Sequence, residues 1–473
     1  MEKFKTFSIG LFLPSLEEKL RFKVRPNASS GLWLMFLLPT CLIISAFKYW
    51  VVLTNTYKLL LIFSIGLIFC SISIIRALAR EEYVNVHELW FFFPISLLFY
   101  TFLNSGILFS IYSGVFCTLL YCQAYIVLLR TFPKSFTLGE AGLTAQAFII
   151  LLYTTLPHFY YSIEEPIVKT GQSSTVIIQM ELFGILILGA FAVNFNLRHY
   201  TFYFSMVFIF LTTFLIPLHI FLKRSPLLWV LNLLTKDIAT MKVVLYWLIC
   251  SCLAALVILR HRKMAGKATS AERKIFHILA IAVYVPGLMY ECNLLYLGSG
   301  ILLGIFFLLE MLRNLTIPPL GNLLQESFTA LKDEKDAGIL AVTPIYLLTG
   351  FTLPLWIHPS PCDLTDSAFF NFLPLMSGIL SVGVGDTAAS VFGSKYGKHF
   401  YPDSQKTIEG TLASILCQLL SVYILCQIGY IVNMDLFLVI RVTVAIVFSS
   451  LIEALTDQID NLILPLIMYI MLV

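Results

Sequence analysis

The chain has 473 residues, of which 59% are apolar and only 12% charged, about half the ~25% charge of an ordinary soluble domain. So much apolar surface cannot be hidden in a soluble fold of this size, which excludes a cytosolic globular enzyme, a disulfide-stapled secreted domain and a disordered chain. The net charge of +4 says little by itself, and its distribution says more.

The apolar runs are continuous and not alternating, so a β-barrel is excluded and the expected fold is an all-α polytopic membrane protein. A spanning helix takes ~20 residues, and with short loops the chain holds about fifteen. In chain order, some thirty mixed residues come first, with Lys3, Lys5, Lys19, Arg21, Lys23 and Arg25 but without the pattern of a cleavable signal. Spans are then expected near 31–49, 57–75, 88–104, 107–129, 143–161, 174–194, 202–222, 242–259, 275–290, 293–312, 337–356, 369–393, 409–429, 436–452 and 462–473. The pair within 88–129 splits one long run and the last span is short, so about 13–15 transmembrane helices are expected. The ten cysteines lie mostly inside these runs (Cys41, Cys70, Cys117, Cys122, Cys250, Cys252, Cys417, Cys426), with no CxxC pair or zinc spacing. They are expected to be buried thiols, neither a metal site nor a disulfide framework.

Orientation follows from Lys and Arg in the loops. With the N-terminus in the cytosol, the cytosolic segments hold 23 of these residues and the opposite side seven, while Arg441 falls inside a span. Four of the seven lie in 223–242, a segment expected to run along the interface as an amphipathic helix. Three regions result: an N-terminal segment 1–30, a multispan region 31–259 without clustered reactive side chains, and a multispan region 260–473 that carries the informative polar groups.

The richest stretch is 378–411, GILSVGVGDTAASVFGSKYGKHFYPDSQKTIEGT. Gly383, Gly385, Gly393 and Gly397 permit close backbone approach and turns with positive φ. Asp386 lies near the end of an apolar run; at a helix centre an ionised carboxylate costs ~2.5–3.5 kcal/mol, so one there needs a partner or a cation. Lys395, Lys398 and Lys406 follow, then Glu409. Lysines take phosphate oxygens and carboxylates take Mg²⁺, so this mouth suits a metal-bound polyphosphate. The same residues also read as a Gly-rich helix-packing face followed by a basic loop, and no Walker A pattern is present. In ERKIFH, Arg273 and His277 are four apart and share a helix face, suited to gripping phosphate or to an ordinary membrane flank. In LIEALTDQIDN, Glu453, Asp457 and Asp460 form one acidic stripe that repels itself unless a cation or a distant lysine intervenes. A fourth stretch, 310–344, carries Glu310, Arg313, Asp333, Glu334, Lys335 and Asp336 and reads alone as a loop. The alternation of spans puts all four on one face.

The block VGVGDTAASVFGSKYGKHFYPDSQKTIEGT closely resembles the CTP-binding signature of dolichol kinases, within the wider polyprenol kinase and phosphatidate cytidylyltransferase-like group. RKIFH (273–277), DEKDAGILAVTPIYLL (333–348) and Glu453 with Asp460-Asn461 resemble further blocks of that family in order and spacing, over roughly residues 260–473. Gln405-Lys406 departs from a pair of basic residues that is common there.

The resemblance implies a multi-pass enzyme of the endoplasmic reticulum with its site facing the cytosol. It would transfer the γ-phosphoryl of CTP, with a divalent cation (Mg²⁺ or Ca²⁺), to the hydroxyl of dolichol, making dolichyl phosphate for protein glycosylation. Its partners would be dolichol, CTP and the lipid bilayer, with no nucleic acid. A CTP-binding loop is implied at about 383–411, with Gly383, Gly385, Gly393, Lys395, Gly397, Lys398, Lys406, Thr407, Glu409 and Gly410. Asp386, Arg273 and His277 are the implied catalytic residues, and Asp386, Glu409, Glu453, Asp457 and Asp460 the implied metal shell. A lipid cytidylyltransferase or another prenol kinase would use similar chemistry. A transporter would account for Arg441, but transporters place their site at the midplane between repeats, and here the charges gather at one face.

Overall fold

The computed structural model describes residues 23–80, 91–103, 106–164, 170–195, 197, 199–263, 270–332, 335–359, 362, 372–402, 404–431 and 435–473. Lys3, Lys5, Lys19, Arg21, Lys169, Arg198, Lys267, Asp333 and Glu334, used in the sequence reading, lie outside them. The helices in chain order are α1 Leu32–Lys48, α2 Asn55–Ala79, α3 Phe92–Leu103, α4 Ile107–Thr131, α5 Leu138–Glu164, α6 Thr170–Asn194, α7 Tyr200–Leu222, α8 Pro226–Leu234 and α9 Ile238–Lys263. They continue as α10 Ile275–Tyr290, α11 Cys292–Asn314, α12 Leu320–Leu331, α13 Val342–Ile357, α14 at 379–396, α15 Ile408–Gln427, α16 Leu436–Leu455 and α17 Asp460–Leu472. Among the described residues there is no strand, only an isolated bridge between Phe400 and Thr407. The protein is an all-α polytopic membrane protein.

Among the described residues, eight helices are long and apolar enough to cross a membrane, and five shorter apolar helices accompany them. The remaining two expected spans coincide with α5 and with α14, whose first half, Ile379–Asp386, is a widened π-type turn. Such turns cluster at functional sites. The helix expected along 223–242 is α8. The loop expected in 313–336 contains α12, a correction. Its leucines and phenylalanine at 320, 323, 324, 328 and 331 recur at helical spacing, too sparse for a spanning run but enough for one apolar stripe.

Several helix starts are fixed by side-chain caps. The Thr54 hydroxyl accepts from the Tyr57 N–H at 3.2 Å, the Asp435 carboxylate from the Leu438 N–H at 2.9 Å, and the Thr407 hydroxyl from the Gly410 N–H at 3.2 Å. Each satisfies a backbone donor that a helix start leaves unpaired.

Among the described residues, two large apolar cores form beside two smaller clusters. One gathers α1 to α5, the other gathers α6, α10, α11 and α14 to α16, and α13 and α17 contribute opposite faces to both. Leu462, Leu466 and Tyr469 of α17 face the first core, and Leu464, Met468 and Leu472 the second. A helix that is apolar all round belongs in such a position. Gly350 lets α13 approach α17 backbone to backbone, since a Cβ there would overlap the Asn461 carbonyl oxygen. By contrast α7 and α9 leave most of their large apolar side chains exposed, as lipid-facing helices do. The central helices are short, with 16 residues in α10, 16 in α13 and 13 in α17, against 23 in α11.

One cysteine expectation is corrected. Cys292, the first residue of α11, is disulfide-bonded to Cys362, with a Cα–Cα distance of 5.4 Å. Cys292 follows the end of α10 and Cys362 follows α13, and the bond joins them across 70 residues of sequence. The eight cysteines named from the apolar runs are all free thiols.

Candidate active site

The far ends of α11 and α13 from the disulfide meet a cluster of charge drawn from six segments. Lys274 caps α10, and His277 follows three residues later on the same face. Asp386 ends the widened turn of α14, Glu453 lies in the last turn of α16, and Asp460 and Asn461 open α17. Lys335 and Lys406 reach in from loops.

The Lys274 ammonium pairs with Asp386 Oδ2. His277 Nε2 lies 3.4 Å from the same oxygen, 3.3 Å from Asn461 Oδ1 and 3.5 Å from Lys274 Nζ. Lys406 pairs with Glu453. Lys335 Nζ donates to Asp460 Oδ2 at 2.8 Å and to the Gln458 carbonyl at 3.2 Å. Asp386 and Glu453 are almost wholly buried, at 2% and 3% exposure. A buried carboxylate left alone is costly, and here each acquires a lysine from a distant segment. Burial by itself would lower the Lys406 ammonium. The carboxylates of Glu453, Asp386 and Asp460 outweigh it and hold that ammonium above the ordinary lysine value. His277 Nδ1 and Thr387 Oγ1 are buried without a hydrogen-bond partner among the described residues.

Of the residues expected from sequence, Asp386, His277, Lys406, Glu453 and Asp460 come together. The others are placed differently. Glu409 turns to His399, accepting from its ring Nδ1 at 2.6 Å and from its backbone N–H at 3.2 Å. Asp457 accepts from the Ser29 N–H at 2.5 Å and hydroxyl at 2.8 Å. Lys395 lies over the Tyr396 ring at 5.3 Å, and Lys398 is exposed. Arg273 belongs to the preceding short helix Ser270–Arg273, and its neighbour Lys274 takes the position beside Asp386.

The glycines act in helix packing. A Cβ on Gly383 would press on Ile281 and Phe351, and one on Gly385 on Gln418 and Ser414. Gly393, Gly397 and Gly410 crowd around Thr407, the buried cap of α15. None of the five has positive φ, so the turns expected at Gly383, Gly385, Gly393 and Gly397 are replaced by helix and extended backbone. Lys274, Lys335 and Asn461 were missed as contributors. Lys274 had a signal, its i, i+3 relation to His277, and Asn461 its place beside Asp460.

A multispan bundle that gathers lysines, carboxylates and a histidine at one end of its helices has the chemical make-up of a membrane-embedded phosphotransferase. Comparison with known proteins narrows the class. Residues 98–422 match the family described as dolichol kinase. The human dolichol kinase is 32% identical over 370 residues, covering 75% of this chain and 68% of that protein. The mouse dolichol kinase is 33% identical over the same shares, and an Arabidopsis thaliana dolichol kinase is 32% identical over 257 residues, 53% of this chain and 43% of its own. No solved structure matches. The chain belongs to the dolichol kinase family. The matched span begins well inside the first multispan region, so the likeness reaches further toward the N-terminus than the 260–473 motifs indicated.

Proposed function

We propose that this chain phosphorylates dolichol, taking the γ-phosphoryl group from CTP, at the endoplasmic reticulum membrane with its site open to the cytosol. The observation that carries the reading is the meeting of Lys274–Asp386, Lys406–Glu453 and Lys335–Asp460 at one end of the spans. Phosphoryl transfer needs positioning and charge neutralisation more than covalent chemistry. When nucleotide phosphates arrive, the lysines exchange carboxylate oxygens for phosphate oxygens, with Lys395 and Lys398 on the exposed rim. The dolichol oxygen attacks the γ-phosphorus in line, the bond from that phosphorus to the β,γ-bridging oxygen breaks, and CDP leaves. Asp386, freed from Lys274 and oriented by His277, takes the hydroxyl proton.

The donor set fits a hard cation in part. Among the described residues, no three His, Cys, Asp or Glu side chains form a ready cage. Mg²⁺ characteristically takes one or two carboxylates and completes its shell with phosphates and water, which suits Asp386 and Asp460 as its protein ligands. A bound divalent cation would supply further neutralisation of phosphate charge.

The orientation is supported twice. The loop lysines and arginines favour the site end as cytosolic, and the Cys292–Cys362 disulfide lies at the other end, where the lumen is oxidising. Membranes containing the protein, given dolichol and either γ- or α-labelled CTP, test the reaction. Label in lipid from the γ position alone is expected. Label from the α position would mean nucleotidyl transfer, and label from neither would overturn the reading.

A further inference from the structure

The turn 456–459 leads directly into Asp460 and Asn461, and it is held from the half of the chain whose sequence shows no reactive cluster. Thr137 and Glu140 form a capping box at the start of α5: the Thr137 N–H donates to Glu140 Oε2 at 2.9 Å, and the Glu140 N–H to the Thr137 hydroxyl at 3.3 Å. The box uses one carboxylate oxygen. The other, Oε1, accepts from Arg25 Nη2 at 2.7 Å and from the Ile459 backbone N–H at 3.0 Å. Arg25 Nη2 also donates to the Asp457 carbonyl at 3.2 Å. The Thr137 hydroxyl donates to Gln458 Oε1 at 2.7 Å, and Gln458 Nε2 donates to the Ser29 carbonyl at 2.9 Å. Arg25 and Glu140 are buried, at 4% and 0% exposure.

Close packing fixes the same joint. A Cβ on Gly139 would overlap the Gly31 carbonyl, and one on Gly31, whose φ is +61°, would overlap the Gln458 side chain. Residues 457, 458 and 459 are thus each tied to the first half, and the next two residues are the ones that meet Lys335 and His277.

We infer that Glu140, with Arg25, is a positioning residue of the phosphoryl-transfer site. It acts through the Ile459 peptide to set where Asp460 and Asn461 stand. This rests on the proposed kinase reading, and it assigns the first multispan region a part in the chemistry. Groups that orient a reacting shell from behind typically alter rates by roughly 10–100-fold.

The test compares full-length Glu140→Gln with Leu143→Ala, a buried apolar core change on the same helix. Both are assayed in native membranes, with rates divided by the amount of folded protein from a thermal-retention assay. Glu140→Gln is expected to lower kcat about tenfold or more with both KM values within about twofold of wild type. Leu143→Ala should lose stability and keep its rate per folded molecule. Should Glu140→Gln fail to accumulate, Thr137→Val removes the Gln458 bond more gently and should lower kcat about threefold or more, again at constant KM. Wild-type kcat per folded molecule in the variant that accumulates, or an equal loss in Leu143→Ala, overturns the inference. Wild-type membranes that move no phosphate from CTP to dolichol would instead overturn the kinase reading.

Discussion

The two ends of the central helices are joined by different chemistry. At the site end, α10, α14, α16 and α17 are linked by Lys274–Asp386, Lys406–Glu453 and Lys335–Asp460. At the other end the links are the Cys292–Cys362 disulfide, a ring contact between Tyr49 and His358 at 4.6 Å, and Arg441 Nη1 donating to the Val473 carbonyl oxygen at 3.5 Å. One end holds a covalent link that cannot trade partners. The other is built from pairs that can trade partners when a polyanion arrives, and of the acids left behind Asp386 and Glu453 are buried and dependent on the exchange. The functional end is therefore the one whose bonds are individually replaceable.

The largest break in that comparison should come at Asp386. Asp386→Asn removes the carboxylate shared by Lys274 and His277, and we expect transfer to fall by about 10³-fold or more while the protein still inserts, measured as γ-label in lipid at matched protein amounts. Next, Lys406→Ala should raise the KM for CTP about tenfold and leave that for dolichol within about twofold, because a loop ammonium meets phosphate and not a prenyl chain. The same lysine has a pH signature. Its folded value lies above the unfolded ~10.4, so its contribution to stability is complete below that pH and fades only as pH rises through the folded value. A scan of thermal stability from about pH 6 to 9 should show no step that Lys406→Met abolishes.

At the covalent end the expected effects on activity are small. Cys362→Ser should cost about 2–4 kcal/mol of stability and change kcat by less than about twofold, read by thermal retention beside the transfer assay. The smallest effect is none at all. The sequons Asn27-Ala28-Ser29 and Asn314-Leu315-Thr316 both sit at the site end, with Ser29 held by Asp457 and the Asn314 amide donating to Glu310 at 3.1 Å. Endoglycosidase treatment should leave gel mobility unchanged. A shift that Asn314→Gln removes would put the site end in the lumen.

The spans were legible because some twenty consecutive apolar residues have few alternatives in a chain this poor in charge. Asp386, Glu453 and Asp460 were legible because carboxylates at span ends demand partners. Which lysine answers which acid was not. Lys274 and Lys335 look like routine flanking charges until the fold sets them opposite Asp386 and Asp460. The packing partners of the glycines were not legible, for a physical reason. A residue without a Cβ serves a phosphate and a crossing helix equally well, and only the neighbours, such as Gln418 against Gly385, distinguish the two. Cys292 and Cys362 carried no spacing pattern, since their closeness is a product of the fold. Glu140 was not legible at all: a threonine followed three residues later by a glutamate is the pattern of an ordinary capping box, and one of its oxygens does fill that role.

The central helices also differ in length. α10 and α11 meet at the level of the disulfide, Tyr290 ending one and Cys292 beginning the other. At 1.5 Å per residue the 23 residues of α11 rise roughly 35 Å, while the 16 of α10 rise roughly 24 Å. α10 is therefore about 10 Å shorter than α11, and the charged cluster gathers on the short helices of the bundle. On the proposed kinase reading, a dolichol hydroxyl would meet that cluster from the bilayer and a water-soluble nucleotide would come to it from the loops.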